Sequence, residues 1–199
     1  MENENAHKAK PLTFGTLQGI SDKTNQIHHG KLYTGYVNKR NEIESALKTA
    51  DRSKANATHS DFGELKRQET FAANGQILHE IFFGILGGDG TPKGKIITLL
   101  ERDFGSFNSW KEDFAACGMS ARGWAILAYD PSDGRLHNYT GDAHNQGGVW
   151  GTIPLAALDV YEHAYFIDFG SDRKSYIEAY FKNLDWGKIE EFAKRAKLV

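Results

Sequence analysis

Apolar positions along this chain recur first with the period of a helix and later with that of a strand. Ser21 can cap a long helix running to about Lys48, on which His28, Leu32 and Tyr36 fall at i, i+4 and i+8, one stripe of one face. His29 points away from that stripe, and Gly30 permits close approach of another helix at some cost in helix propensity. Ala50 to Ser60 is polar and predicts the connection between two antiparallel helices. A second helix covers roughly Asp61 to Ile85, with Gly75, His79 and Phe83 as its matching stripe. Gly87-Gly88-Asp89-Gly90 stops it and marks the domain boundary, which divides the chain into residues 1–89 and 90–199. Thr91-Pro92 is a start signal for a helix to about Phe104. Ser109-Trp110-Lys111-Glu112 is a capping box opening another helix to about Met119.

The period then switches. Gly123 to Tyr129 predicts a strand, Pro131-Ser132-Asp133-Gly134 a hairpin turn, and Arg135 to Thr140 a returning strand. The apolar run Ile153 to Leu158 predicts a third strand, and Asp172 to Asn183 and Trp186 to Ala196 predict closing helices. Residues 1–10 are polar and expected to be disordered, and Pro11 to Gly19 reads as an extended entry segment. An all-helical first part followed by an α+β second part gives the class α+β.

Composition narrows the function. With 40% hydrophobic and 25% charged residues, the 199-residue chain has ordinary globular composition and enough apolar residues for a sizeable core. A net charge of -2 argues against nucleic acid as a partner. No apolar run approaches membrane-spanning length, and the polar start lacks a signal-peptide core. The lone Cys117 excludes an intramolecular disulfide and suits the cytoplasm, and it reads as a small buried hydrophobe rather than a nucleophile.

The chemistry begins at Asp159-Val160-Tyr161-Glu162-His163. Asp159 and His163 are four apart, so on a helix they would share one face and form half of an oxygen–nitrogen metal site. The plain alternative is an Asp helix cap beside a hydrogen-bonded core histidine. His28 taken alone could be a helix-surface residue, and His79 a satisfied core histidine. Together, His28, His79, Asp159 and His163 stand on elements that can converge. Three imidazoles and one carboxylate suit iron, manganese or zinc, and the absence of thiolates disfavours copper(I) and iron–sulfur clusters.

The motif Asp159-Val160-Tyr161-Glu162-His163-Ala164-Tyr165 resembles the closing motif of the iron/manganese superoxide dismutases, Asp-x-Trp-Glu-His-Ala-Tyr. His28-His29-Gly30-Lys31 with Tyr36-Val37 resembles the family's first ligand segment, and His79 with Phe82 and Phe83 its second. Phe104-Gly105-Ser106-Phe107, Gly123-Trp124, Arg173 and Asn183-Leu184-Asp185-Trp186 also fit, from about residue 20 to the C-terminus. The resemblance implies a helical hairpin followed by an α/β domain with a three-stranded antiparallel sheet. It implies conversion of superoxide to dioxygen and hydrogen peroxide at one Fe or Mn per chain, held by His28, His79, Asp159 and His163, with water or hydroxide in a fifth position. It implies Tyr36 as a gateway residue, and Lys31 and Arg173 as cations that draw the anion in. Glu162 would bond His163 of a partner subunit, giving a homodimer or a dimer of dimers.

The sequence also departs from the family pattern. Phe83, Ile126 and Tyr161 stand where the family usually has Trp, and only Trp124 of that cage is kept. Gly75 stands where many iron-type members have an outer Gln and where manganese-type members have Gly and supply a Gln or His from the later sheet, so His144 or Gln146, with His144 preferred, would supply that contact. Leu32 and Phe166 stand where many members have a His and a Tyr, and they read as a matched apolar pair at the subunit interface. The alternatives to an active dismutase are a peroxidase-like or hydrolytic enzyme on the same scaffold, and a metal-binding protein with weak, altered or no activity.

Overall fold

In the computed structural model, which describes residues 6–199, the chain opens with three consecutive helical pieces. These are α1 (Asp22–Ile27), a π-helical turn (His28–Tyr33) and α2 (Thr34–Thr49). Ser21 caps α1 as expected, its hydroxyl accepting from the Thr24 N–H at 3.2 Å. The π turn departs from the predicted stripe. An i→i+5 turn inserts one residue, so the buried position after His28 is Tyr33, while Leu32 is only half-buried. Gly30 is also corrected: it is exposed, with nothing within 4 Å of where a Cβ would lie. The close approach happens at Gly75 instead.

The antiparallel partner α3 (Asp61–Gly84) is capped by Ser60, which accepts from Gly63 N–H at 3.1 Å. Its stripe Gly75, His79 and Phe83 is buried as the period requires. Residues 50–60 connect the two helices without regular structure.

Two helix starts differ from expectation. Thr91-Pro92 lies outside α4 (Lys95–Phe104), because Gly94, at φ 92°, keeps the chain left-handed until just before Lys95. The capping hydroxyl of α5 (Phe107–Ser120) is Ser106, not Ser109: it accepts the Ser109 N–H at 3.0 Å, one turn earlier than the capping box suggested.

The sheet follows, with β1 (Trp124–Asp130), β2 (Arg135–Gly141) and β3 (Ile153–Asp159) in antiparallel order β2-β1-β3. A shift in register falls between Leu127 and Ala128. Asp159 therefore ends a strand. It does not share a helix face with His163, which sits on a 3-10 turn (Glu162–Ala164). Both side chains still reach one point, because Val160 N–H bonds Gly123 O at 2.8 Å and folds the chain back across the end of β1. A short α6 (Phe166–Phe169) precedes α7 (Arg173–Lys182) and α8 (Trp186–Arg195).

The main core joins all these layers around Trp110, Trp124, Trp186, Tyr176 and Tyr180. A small second cluster, Ile43, Leu47 and Ala72, closes the far end of the hairpin. The expectation of a disordered start is partly overturned. Residues 1–5 lie outside the described residues, but His7 N–H donates to Asn41 at 2.8 Å and its ring meets Glu44 at 3.1 Å. Lys10 pairs with Glu80. Among the described residues no helix is long and apolar enough to cross a membrane.

Candidate metal centre

Four segments meet at one carboxylate oxygen. Oδ2 of Asp159 lies 3.0 Å from His28 Nε2, 3.2 Å from His163 Nε2 and 3.5 Å from His79 Nε2. The π turn supplies His28, α3 supplies His79, the end of β3 supplies Asp159 and the 3-10 turn supplies His163. One ligand atom from each of the four lies within 4.8 Å of all the others. His28, His79 and Asp159 are buried, and His163 is half-buried on the solvent side.

The protonation states suit a cation. Burial pushes the Asp159 carboxyl up, but hydrogen bonds from His163 and His28 outweigh it and hold the group well below the usual carboxylate range. Its Oδ1 accepts Tyr161 N–H at 2.9 Å. Burial lowers His28 despite the bond to Asp159, and burial, then His28, takes His79 down to about 3. The result is an anionic carboxylate facing the neutral imidazoles of His28 and His79. His79 Nδ1 bonds Gly75 O at 2.5 Å, which puts the proton on Nδ1 and leaves a lone pair on Nε2, directed to the cluster. That Nε2 is buried with no hydrogen-bond partner among the described residues. An orphaned buried acceptor beside a carboxylate and two more imidazoles fits a metal ion with nitrogen and oxygen ligands.

Around the cluster stands an aromatic shell. The Tyr36 ring centroid is 5.3 Å from His79 and 4.5 Å from His144. Burial, then Tyr161 and Asp159, push the Tyr36 hydroxyl up to about 12. Phe83 lies 4.9 Å from His28, and Tyr161 stacks on His163 at 5.3 Å. Trp124 donates its indole N–H to His144 Nδ1 at 2.9 Å.

Gly75 shows why His144 has room. A Cβ there would come within 2.8 Å of the Tyr36 ring and 3.3 Å of His144 Cδ2. Of the two candidates for the outer contact, His144 is buried beside the cluster. Gln146 is exposed and only its backbone engages the same loop, at Ala143 O.

The remaining expected residues lie on the solvent side. Glu162 is exposed next to His163, and Phe166 is 56% exposed. Lys31 is exposed on the π turn. Arg173 is half-buried and bound rather than free: it donates to Tyr165 OH at 3.2 Å and Ala121 O at 2.8 Å. With Arg122 it lines an open depression beside Tyr161, Glu162 and His163. Cys117 is half-buried, and burial, then Asp113, raise its thiol, which disfavours a nucleophile.

Sequence reasoning missed two neighbours. Tyr33 accepts Lys10 N–H at 2.8 Å and donates to Glu80 at 3.2 Å, and Phe71 lies 4.6 Å from His144. A 3.6-residue period cannot find Tyr33 across a π turn. Phe71 falls one turn before Gly75 on α3, and extending that stripe backwards would have found it.

Comparison with known proteins agrees with this geometry. Residues 16–87 match the alpha-hairpin domain of iron/manganese superoxide dismutases, and residues 92–192 match their C-terminal domain. The chain is 42% identical to a superoxide dismutase [Fe] of Aquifex pyrophilus over 96% of its own length and 93% of the relative. It is 39% identical to a superoxide dismutase [Fe] of Cupriavidus metallidurans, covering 90% of the chain and 92% of the relative. It is also 37% identical to a superoxide dismutase [Mn] of Haloarcula marismortui, covering 91% and 89%. With both domains matched and relatives above 30% identity along nearly the whole chain, this protein belongs to the iron/manganese superoxide dismutase family.

Proposed function

We propose that the protein is a superoxide dismutase in which His28, His79, Asp159 and His163 hold one iron or manganese ion. The observation that carries this reading is the buried, unpartnered Nε2 of His79 facing an ionised Asp159. An iron or manganese ion held by these four residues would supply one-electron redox chemistry, with superoxide as both reductant and oxidant. Two superoxide anions and two protons thereby become one dioxygen and one hydrogen peroxide.

The chain's own residues have separable parts in this. The imidazoles would donate lone pairs to the ion, and Asp159 would offset part of its charge. Tyr36, with its hydroxyl pushed up to about 12, stays protonated at neutral pH and can pass a proton toward a reduced oxygen species. Burial takes His144 down to about 4, so it is neutral and acts as the outer hydrogen-bond partner, the part for which Gln146 was the alternative. Trp124 and Tyr161 keep the centre dry, which strengthens each of these interactions. Lys31 and Arg173 supply positive potential near the mouth.

The working unit is a homodimer, or a dimer of such dimers, in which Glu162 bonds His163 of the partner subunit. The support is a cluster of exposed groups on one side: Glu162 beside His163, with Phe166 and Ile167 at 56% and 46% exposure. The free Cys117 suits a cytoplasmic location.

Stopped-flow disappearance of superoxide, on protein reconstituted separately with iron and manganese, tests the function. Catalytic decay with at least one metal supports it. Decay no faster than with the free ion at equal concentration would leave a metal-binding protein without turnover.

A further inference from the structure

Two tyrosines of α7 serve an edge strand. The sheet order β2-β1-β3 leaves β3 at one edge, where alternate backbone groups have no partner in the sheet. A buried carbonyl on that edge must find its donor elsewhere. Tyr176 OH donates to Asp159 O at 2.7 Å, and Tyr180 OH donates to Ala157 O at 2.9 Å. All four residues are fully buried. The spacings match, since four residues of a helix advance about 6 Å and two residues of a strand about 6.6 Å.

The two rungs are not equivalent. Asp159 O belongs to the same peptide unit as the Val160 N–H, which donates to Gly123 O at 2.8 Å. One rigid plane is therefore held at both edges, and this fixes the rotation between the Asp159 Cα and its carbonyl. The side chain then has a set place to start from: Oδ1 accepts Tyr161 N–H at 2.9 Å, and Oδ2 faces His28 and His163 at 3.0 and 3.2 Å. Ala157 lies inside the ladder, with Ala157 and Leu158 opposite Ile126 and Ala125. The sheet holds its peptide with or without Tyr180. The Tyr176 ring is itself clamped. It stacks on Tyr165 at 5.1 Å and 22°, and Tyr165 OH accepts from Arg173 at 3.2 Å.

We infer that Tyr176 is a positioning residue for Asp159: its hydroxyl fixes the peptide that follows this side chain and so keeps Oδ2 aimed at the three imidazoles. Tyr180 supports the strand alone. This rests on the reading that Asp159 is a ligand of iron or manganese.

Tyr176→Phe and Tyr180→Phe each remove one hydroxyl, and the second is the control for lost stability. The readouts are electron paramagnetic resonance of the ferric or Mn(II) centre and the rate at which the metal passes to a chelator, both on the full chain at equal metal content. Both variants should melt at lower temperature than the parent. Tyr176→Phe should change the spectrum and release metal about 10-fold faster. Tyr180→Phe should keep the parental spectrum and release rate. A parental spectrum and release rate in Tyr176→Phe, or equal changes in the two variants, would overturn the inference and leave the metal reading intact. A parent chain that takes up neither metal would overturn that reading, and the inference with it. Should Tyr176→Phe not fold, 3-fluorotyrosine at position 176 keeps the hydroxyl and alters its strength as a donor. The spectrum should then shift, and an unshifted one would overturn the inference.

Discussion

At the scale of single residues, the centre is built by complementarity between a missing side chain and two present ones. Gly75 has no Cβ, and the space is taken by Tyr36 and His144. Gly75→Ala should push the Tyr36 ring off its place at a cost of about 1–3 kcal/mol in stability. Thermal denaturation and rate measurements on the metal-loaded variant check this: metal is expected to remain while activity falls. The ligands should behave differently. His79→Ala and Asp159→Ala should lose most of their metal together with activity, as metal analysis of purified protein would show. Full metal in either variant would remove that residue from the site. These residues were legible in the sequence because the family spacing singled out three of the eight histidines together with Asp159. Tyr33 was not, since its burial depends on a backbone turn with a different period.

At the scale of elements, the π turn is the main departure from the sequence pattern. Five residues there do what four do in an α-helix, carrying the buried face from His28 to Tyr33 and on to Val37. Deleting the exposed Gly30 should convert the turn to α-helix and keep that face, so metal content should survive. Inserting one alanine into α2 after Gly35 should rotate the following residues by about 100° and cost the protein its metal. Equal metal loss in both would mean the π turn has a role beyond register.

A second test concerns the joint between α4 and β2. Asp103, with its side chain 2% exposed, takes a two-pronged bond from Arg102 and accepts Leu136 N–H at 2.8 Å. Burial pushes Asp103 up, but Arg102, the Leu136 N–H and Arg135 outweigh it and hold the carboxyl below its ordinary value. A lowered folded value means the stabilisation is present above the ordinary carboxylate range and is lost as pH falls through the folded value. Asp103→Asn should therefore destabilise by about 1–3 kcal/mol at pH 7, and by clearly less near pH 3, in denaturant melts at the two pH values. The helix ends were the least legible elements. Thr91-Pro92 and Ser109 both carry start signals, yet the left-handed Gly94 and the Ser106 cap decide where α4 and α5 begin.

At the scale of the whole molecule, the order of elements was readable because hydrophobic period separates the helical hairpin from the sheet. What was not readable is how strand β3 and a 3-10 turn, rather than one helix, deliver Asp159 and His163 to the same point. That depends on the backbone bond between Val160 and Gly123 at the end of the β1–β3 pair. The proposed dimer has its own test. Sedimentation should find Glu162→Ala more monomeric and poorer in metal than the parent. Leu32→His should weaken association, and adding Phe166→Tyr should recover part of the loss. Strict additivity would mean the two side chains do not meet.

The central claim is that one metal ion sits among His28, His79, Asp159 and His163 and is the ion that turns over superoxide. Anomalous diffraction at the iron and manganese edges, from crystals of protein assayed for superoxide decay, tests it most directly. The account predicts a single strong peak per chain enclosed by those four side chains, with occupancy that tracks activity across partially loaded samples. A peak elsewhere, or full activity in crystals whose four-residue cluster holds no metal, would contradict it.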